Sequence, residues 1–181
     1  MKTRILSHSA HKRSRAAMTL IELLVTAFLS TILFAALTML WANGARSILA
    51  MTNYTELDRT SKYTLDVMSK DVRQARAMTA YSTTNIAMTN LTGTAYSYVY
   101  NSTAKTLTRT FGGSSKVLLT SCDKLSFSIY QRNPSNNFQF YPTASLAQAK
   151  LVDVNWKCSR QIKGQSVNTE SIQTAKIVMR N

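Results

Sequence analysis

The strongest pattern in the sequence is a run of apolar residues near the N-terminus. Residues 18–42 contain a single charged side chain, that of Glu22. At about 1.5 Å rise per residue, a helix over this stretch is long enough to cross a hydrocarbon core about 30 Å thick. We therefore expect a transmembrane helix here.

Beyond Asn43 and Gly44 the pattern becomes amphipathic. Mostly apolar side chains recur at steps of three and four residues, as on one face of a helix. These positions are Tyr54, Leu57, Ser61, Leu65, Met68, Val72 and Ala75. The acid–base spacings Asp58–Lys62 and Asp66–Lys70 suit its solvated side. The sequence predicts one nearly continuous helix over 18–78, apolar all round in 18–42 and amphipathic in 43–78.

From residue 79 onward, short β-branched and aromatic runs alternate with turn residues. We expect strands at 96–100, 106–111, 117–119, 125–130, 138–141, 151–157 and 172–179, with turns at 101–102, 112–113, 133–137 and 163–165. The polar stretch 79–95 is predicted to be a loop. The predicted fold class is α+β: a long N-terminal helix whose amphipathic half packs on an antiparallel β-sheet, with 79–181 as a globular β-rich domain.

Charge adds an orientation to this picture. The chain has 22 basic and 8 acidic residues, a net charge of +14. Residues 1–17 contain no acid and five basic residues, Lys2, Arg4, Lys12, Arg13 and Arg15. By the positive-inside rule this leader lies in the cytoplasm and the rest beyond the membrane. A secretory signal peptide cut near Ala42 is the alternative, but signal peptides have a shorter apolar region, of about 7–15 residues.

Glu22 is the residue in the apolar run that needs a function. A carboxylate within a membrane span costs about 2.5–3.5 kcal/mol on insertion scales, and such residues are functional candidates. One interpretation is that Glu22 merely reaches back to the lipid headgroups. The other is that a cationic partner within the membrane neutralises it.

The residues around Glu22 carry a family resemblance. RAAMTLIELLV at 15–25 resembles the prepilin cleavage and methylation motif of type IV pilins and type II secretion pseudopilins. The resemblance implies that prepilin peptidase cuts between Ala17 and Met18, and that Met18 becomes N-methylated. It implies a subunit-assembly role for Glu22 and Thr19, with the Glu22 carboxylate paired to a neighbouring subunit's N-terminal amine. The family usually has Gly before the cut and Phe after it, so Ala17 and Met18 are departures.

Two further segments indicate a subtype. Residues 65–75 and 175–181 resemble the corresponding helix and last strand of J-type minor pseudopilins and similar minor pilins. We interpret Asp71 and Arg73 within the first segment as parts of a solvated helix face. The resemblance implies a pilin-like subunit that helps to initiate or cap a filament. It would be held first in a bacterial inner membrane with a periplasmic globular domain, and then in a pilus or pseudopilus.

The two cysteines allow a disulfide. Cys122 and Cys158 lie near predicted strands and would face an oxidising compartment if the orientation is as expected. The alternative is two buried thiols too far apart to bond. There is no CxxC motif, and both histidines, His8 and His11, lie in the leader. We therefore expect no metal and no cofactor.

The remaining chemistry does not indicate an enzyme. Beyond residue 78 the acids are Asp123, Asp153 and Glu170, too few for a calcium cage and without a histidine partner. Two alternatives to a structural subunit remain. One is an unprocessed, membrane-anchored periplasmic protein. The other is a filament subunit that binds DNA or a surface through basic and aromatic residues. Those residues are Lys105, Arg109, Lys116, Lys124, Arg132, Lys150, Lys157, Arg160 and Lys163, with Tyr96, Tyr98, Tyr100, Phe111, Tyr130 and Trp156.

Overall fold

One long helix precedes all of the strands. The computed structural model describes residues 19–136, 138–162 and 169–180. Within them, α1 spans Leu20–Gln74. The chain divides into two compact units, Met1–Gly44 and Ala45–Asn181. Ala17 and Met18, the predicted processing site, lie outside the described residues, as does the turn predicted at 163–165.

The second unit contains two antiparallel sheets. The first is a meander in which each strand pairs with the next. Its strands are β1 (Ala75–Tyr81), β2 (Asn85–Asn90), β3 (Ala95–Asn101), β4 (Thr106–Phe111) and β5 (Ser114–Leu119). The second sheet has the order β7-β6-β8-β9. Its strands are β6 (Cys122–Arg132), β7 (Phe140–Pro142), β8 (Ala149–Ser159) and β9 (Glu170–Val178).

This architecture confirms the predicted α+β class, a long N-terminal helix with antiparallel strands. All seven predicted strands are present, and 106–111 matches β4 at both ends. The Gly112–Gly113 turn is also present. Both glycines have positive φ, 54° and 86°, as a two-residue hairpin loop of type I′ requires.

The prediction is wrong at 75–81 and 85–90, which are strands, whereas 82–84 and 91–94 lie outside the strands, as expected for a loop. The helix ends at Gln74, and the expected loop at 79–95 holds the end of β1 and all of β2. In β1 a register irregularity between Ala75 and Ala77 brings Ala75 and Met78, three residues apart, to the buried face. A three-residue spacing of apolar positions is typical of a helix, which is why the sequence pattern extended α1 too far.

The amphipathic half of α1 contacts both sheets. Four of its buried side chains, Leu57, Ser61, Met68 and Val72, are at predicted positions, and the buried Thr64 and Asp71 were not predicted. The Thr64 hydroxyl donates to the Leu118 carbonyl of β5 over 3.3 Å. Ser61 Oγ accepts from Trp156 Nε1 of β8 and from Ser171 Oγ of β9, each over 3.3 Å. These bonds place a single helix face against the core residues of both sheets.

Candidate subunit-assembly site

The start of α1 is a capping box formed by Thr19 and Glu22. The Glu22 Oε2 atom accepts from the Thr19 backbone N over 2.9 Å and from the Thr19 hydroxyl over 3.1 Å. In return, Thr19 Oγ1 accepts from the Glu22 backbone N over 3.3 Å. This reciprocal arrangement satisfies donors that the first turn of a helix leaves unpaired. The two residues assigned to subunit assembly by resemblance are therefore brought together by local geometry.

The capping box leaves part of the Glu22 carboxylate for another interaction. Among the described residues, both hydrogen bonds to the carboxylate end on Oε2 and none on Oε1, and a carboxylate has about four lone-pair sites. Two hydroxyl side chains follow Glu22 at four-residue steps along α1. Thr26 Oγ1 donates to the Glu22 carbonyl over 2.8 Å, and Ser30 Oγ donates to the Thr26 carbonyl over 2.7 Å. These bonds satisfy the hydroxyl protons within the helix, which suits an apolar medium.

The rest of the first half of α1 exposes apolar side chains on every side. Its most apolar 18-residue window has a mean hydropathy of 2.3 and no buried residue. By length and composition, this helix can cross a membrane. The exposed large side chains include Leu20, Leu24, Phe28, Ile32, Phe34, Leu40 and Trp41.

Exposed apolar side chains continue beyond the length that a bilayer covers. A hydrocarbon core takes about 20 residues of helix, which α1 supplies by about residue 40. In the second unit, Ile48, Leu49, Met51 and Tyr54 are still about half exposed or more, with Met51 at 74%. The first fully buried residue of α1 is Leu57. A segment of about two turns therefore presents apolar surface next to the part that packs on the sheets.

The second notable site is a buried ion pair where α1 meets β4. The Arg109 guanidinium binds Asp71 with two bonds, Nε to Oδ2 over 2.6 Å and Nη2 to Oδ1 over 3.1 Å. Tyr98 donates its hydroxyl proton to the same carboxylate, and Tyr96 donates to the Asp71 carbonyl over 2.7 Å. The expectation that Asp71 belongs to a solvated face is wrong, because the residue is only 8% exposed. Arg73 is exposed, as expected.

Burial and the Asp71 charge act together on these tyrosines. Burial raises the pKa of Tyr98 far above its ordinary value, and the hydrogen bond to Asp71 raises it further. Burial likewise raises the pKa of Tyr96, with a further contribution from the Asp71 charge. The pKa of Arg109 is raised by its hydrogen bonds to Asp71. Both tyrosines thus stay neutral and Arg109 stays charged at neutral pH, which is typical of a structural ion pair.

Cys122 and Cys158 are brought together, although no bond joins them. They are directly opposite in the register of β6 and β8, and both side chains are buried. The predicted alternative, two thiols too far apart to meet, is therefore wrong. The two cysteines lie at the point where the chain passes from the first sheet into the second.

The basic and aromatic residues do not form one exposed surface. Tyr96, Tyr98, Tyr100 and Trp156 are core residues, so their rings are not free to stack on bases. Lys105, Lys157 and Arg160 form ion pairs with Asp123, Glu170 and Glu56. Lys163 lies outside the described residues. Partly or fully exposed positions such as Phe111, Lys124, Tyr130 and Arg132 remain on the surface.

Comparison with protein-family models, with curated proteins and with solved structures finds no match to this chain. Its class is therefore defined by its own architecture. The chain is an α+β protein in which one long, apolar N-terminal helix continues into a packed helix on antiparallel sheets, and this layout is pilin-like.

Proposed function

We propose that this chain is a minor pilin or minor pseudopilin, a structural subunit that helps to initiate or cap a filament. It is inserted in a bacterial inner membrane with residues 1–17 in the cytoplasm. Prepilin peptidase removes that leader, and Met18 becomes the methylated first residue. The subunit then leaves the membrane and joins its neighbours through α1. The proposal rests on the motif at 15–25 and on the surface of the helix.

One observation favours a filament subunit over a simple anchor. A helix that only anchors a protein needs apolar surface for the thickness of the bilayer and no more. Ile48, Leu49 and Met51 extend that surface beyond it, and exposed apolar side chains in contact are typical of an interaction site. Neighbouring helices in a filament would cover both the membrane-spanning part and this extension.

Glu22 fits the same proposal in two roles. Its Oε2 atom closes the capping box with Thr19. We assign to its Oε1 atom the role of accepting a hydrogen bond from the N-terminal ammonium of a neighbouring subunit. An ion pair in an apolar environment stabilises an assembly only when both charges have partners. The capping box would hold the carboxylate in position for the amine that arrives.

The first experiment identifies the N-terminus of the mature protein. The membrane-extracted chain is sequenced and its intact mass measured in cells with and without prepilin peptidase. We expect a start at N-methylated Met18 only when the peptidase is present. An intact Met1 in both cells would instead indicate a permanently anchored protein and would refute the proposal.

The second experiment separates the two roles of Glu22. Glu22→Gln keeps a side-chain oxygen that accepts from the Thr19 backbone N but removes the negative charge. We expect both Glu22→Gln and Glu22→Ala to insert into the membrane and to fail at incorporation into sheared filaments. Wild-type incorporation of Glu22→Gln would show that Glu22 acts only as a cap.

The third experiment tests the apolar extension. Met51→Glu puts a charge on the exposed apolar side of α1. Asn53→Glu adds the same charge two residues away, on the other side of the helix. We expect Met51→Glu to insert normally but to lose most filament incorporation, whereas Asn53→Glu retains it. Equal incorporation of the two variants would mean that the extension is not a subunit contact.

A further inference from the structure

The backbone places Cys122 and Cys158 at a position suited to a cross-strand bond. Ser159 N donates to the Ser121 carbonyl over 2.9 Å, while Cys122 N donates to the Lys105 carbonyl in the turn between β3 and β4. The next antiparallel pair, Cys122 and Cys158, is therefore a non-hydrogen-bonded pair. Such pairs have Cα atoms about 4.5 Å apart, within the range of about 4.4–6.8 Å that disulfides occupy.

The surroundings hold the two strands at this distance. On the neighbouring positions, Asp123 accepts from the Ser159 hydroxyl and from Lys105 Nζ, the latter over 2.7 Å. The Tyr100 hydroxyl donates to the Cys122 carbonyl over 2.9 Å. The interaction between the two thiols lowers the pKa of Cys122 and raises that of Cys158. The Cys122 thiol also donates to the Lys124 carbonyl over 3.5 Å.

We infer that Cys122 and Cys158 are a built disulfide site that links β6 to β8 when the protein meets a disulfide oxidant. The Cys122 thiolate attacks one sulfur of the oxidant's disulfide and releases the oxidant's other sulfur as a thiolate. Cys158, losing its proton, then attacks the Cys122 sulfur and displaces the second thiolate. Two protein thiols are oxidised to one disulfide, and the oxidant's disulfide is reduced to two thiols.

The disulfide would link β8 to the start of β6, where the chain passes from the first sheet into the second. Ser121, with a left-handed φ of 58°, turns the chain out of β5, and Cys122 is the first residue of β6. β6 and β8 are the central strands of the second sheet. A link at this corner would prevent β6 from separating from β8 when the chain is pulled or heated.

The geometric test uses the purified full chain in detergent with glutathione disulfide as the oxidant. Mild urea is added because both sulfur atoms are buried and must be reached by transient opening. We expect a mass loss of about 2 Da, no thiol available to an alkylating agent after denaturation, and a rise of about 10 °C in Tm. The control Cys122→Ala/Cys158→Ala should show no oxidant-dependent change in Tm. Two alkylated thiols, or covalent dimers in place of the internal link, would overturn the inference.

A second test asks whether the bond forms in cells, and this part rests on the proposed function because it needs a globular unit outside the cytoplasm. Cells are quenched with acid, and the free thiols are alkylated. We expect an oxidised wild-type chain. Bridging in the purified chain but free thiols in cells would refute the assigned orientation and leave the site intact. Free thiols in both experiments would refute the site itself.

Discussion

The sharpest test of the packing concerns Asp71 and its bonds to Arg109 and Tyr98. Asp71→Ala removes a carboxylate that is almost fully buried and leaves the Arg109 guanidinium without its ion-pair partner. The matched control is Asp58→Ala on the same helix. Asp58 also forms an ion pair, with Lys62 over 2.7 Å, but the Lys62 side chain is 70% exposed. The two substitutions are chemically identical and differ in burial.

The two substitutions should differ clearly in the free energy of unfolding that each one removes. Breaking a buried ion pair by removing one partner costs about 3–5 kcal/mol, because the other charge stays buried. An exposed i,i+4 pair contributes about 0.3–0.5 kcal/mol. With a urea dependence of about 2 kcal/mol per molar, Asp71→Ala should lower the unfolding midpoint by about 2 M. Asp58→Ala should lower it by about 0.2 M.

The assay is urea unfolding of the full chain in detergent, followed by the fluorescence of Trp156. That indole is buried and bonded to Ser61, whereas Trp41 is exposed on the helix, so Trp41→Phe provides a single reporter. Arg109→Ala and the double variant Asp71→Ala/Arg109→Ala complete a double-mutant cycle, which gives the coupling energy between the two side chains. Equal midpoints for Asp71→Ala and Asp58→Ala, or a coupling energy below about 0.5 kcal/mol, would refute the reasoning.

Three smaller predictions concern backbone and charge. Gly113→Ala should lower the free energy of unfolding by about 1–2 kcal/mol in the same assay, because the φ of Gly113 is 86°. Gly44→Ala should stabilise α1 by up to about 1 kcal/mol, because Ala favours a helix more than Gly and nothing lies within 4 Å of the added Cβ. Ser121→Gly should stabilise because it removes a left-handed serine, and a lower midpoint would contradict this. Burial acts to raise the pKa of Asp123, but Lys105 and Ser159 hold it below its ordinary value. The Asp123 carboxylate therefore stabilises the fold above about pH 4, and this stabilisation is lost as the pH falls below that value. We expect the wild-type chain to be more stable than Asp123→Asn at neutral pH and the difference to shrink in acid.

Local patterns predicted much of this fold because each depends on neighbours in sequence. The sequence predicted the apolar run, the three- and four-residue steps through Leu57 and Met68, and the Gly112–Gly113 hairpin. The Thr19–Glu22 capping box could also have been predicted, since Thr-x-x-Glu before an apolar run is its signature. The same carboxylate therefore has a local role at the helix start, in addition to its cost within a membrane.

Long-range pairing could not be read in the same way. Nothing local indicates that Asp71 binds Arg109, 38 residues later, so its i,i+3 and i,i+4 surroundings suggested a solvated face. The facing of Cys122 and Cys158 likewise depends on the register of β6 against β8. A shift by one residue would turn one sulfur to the other face of the sheet.

The Ser61–Ser171 contact has a consequence for how the chain folds. These residues are 110 positions apart, and Ser171 lies in β9, the last strand in the sequence. The packed face of α1 is synthesised long before the strand that completes its cover. Contacts of this separation slow folding, because the loop must close before any stabilisation is gained. Until β9 arrives, the apolar face near Leu57 and Met68 is open to aggregation, and retention of the helix start in a membrane would keep unfinished chains apart.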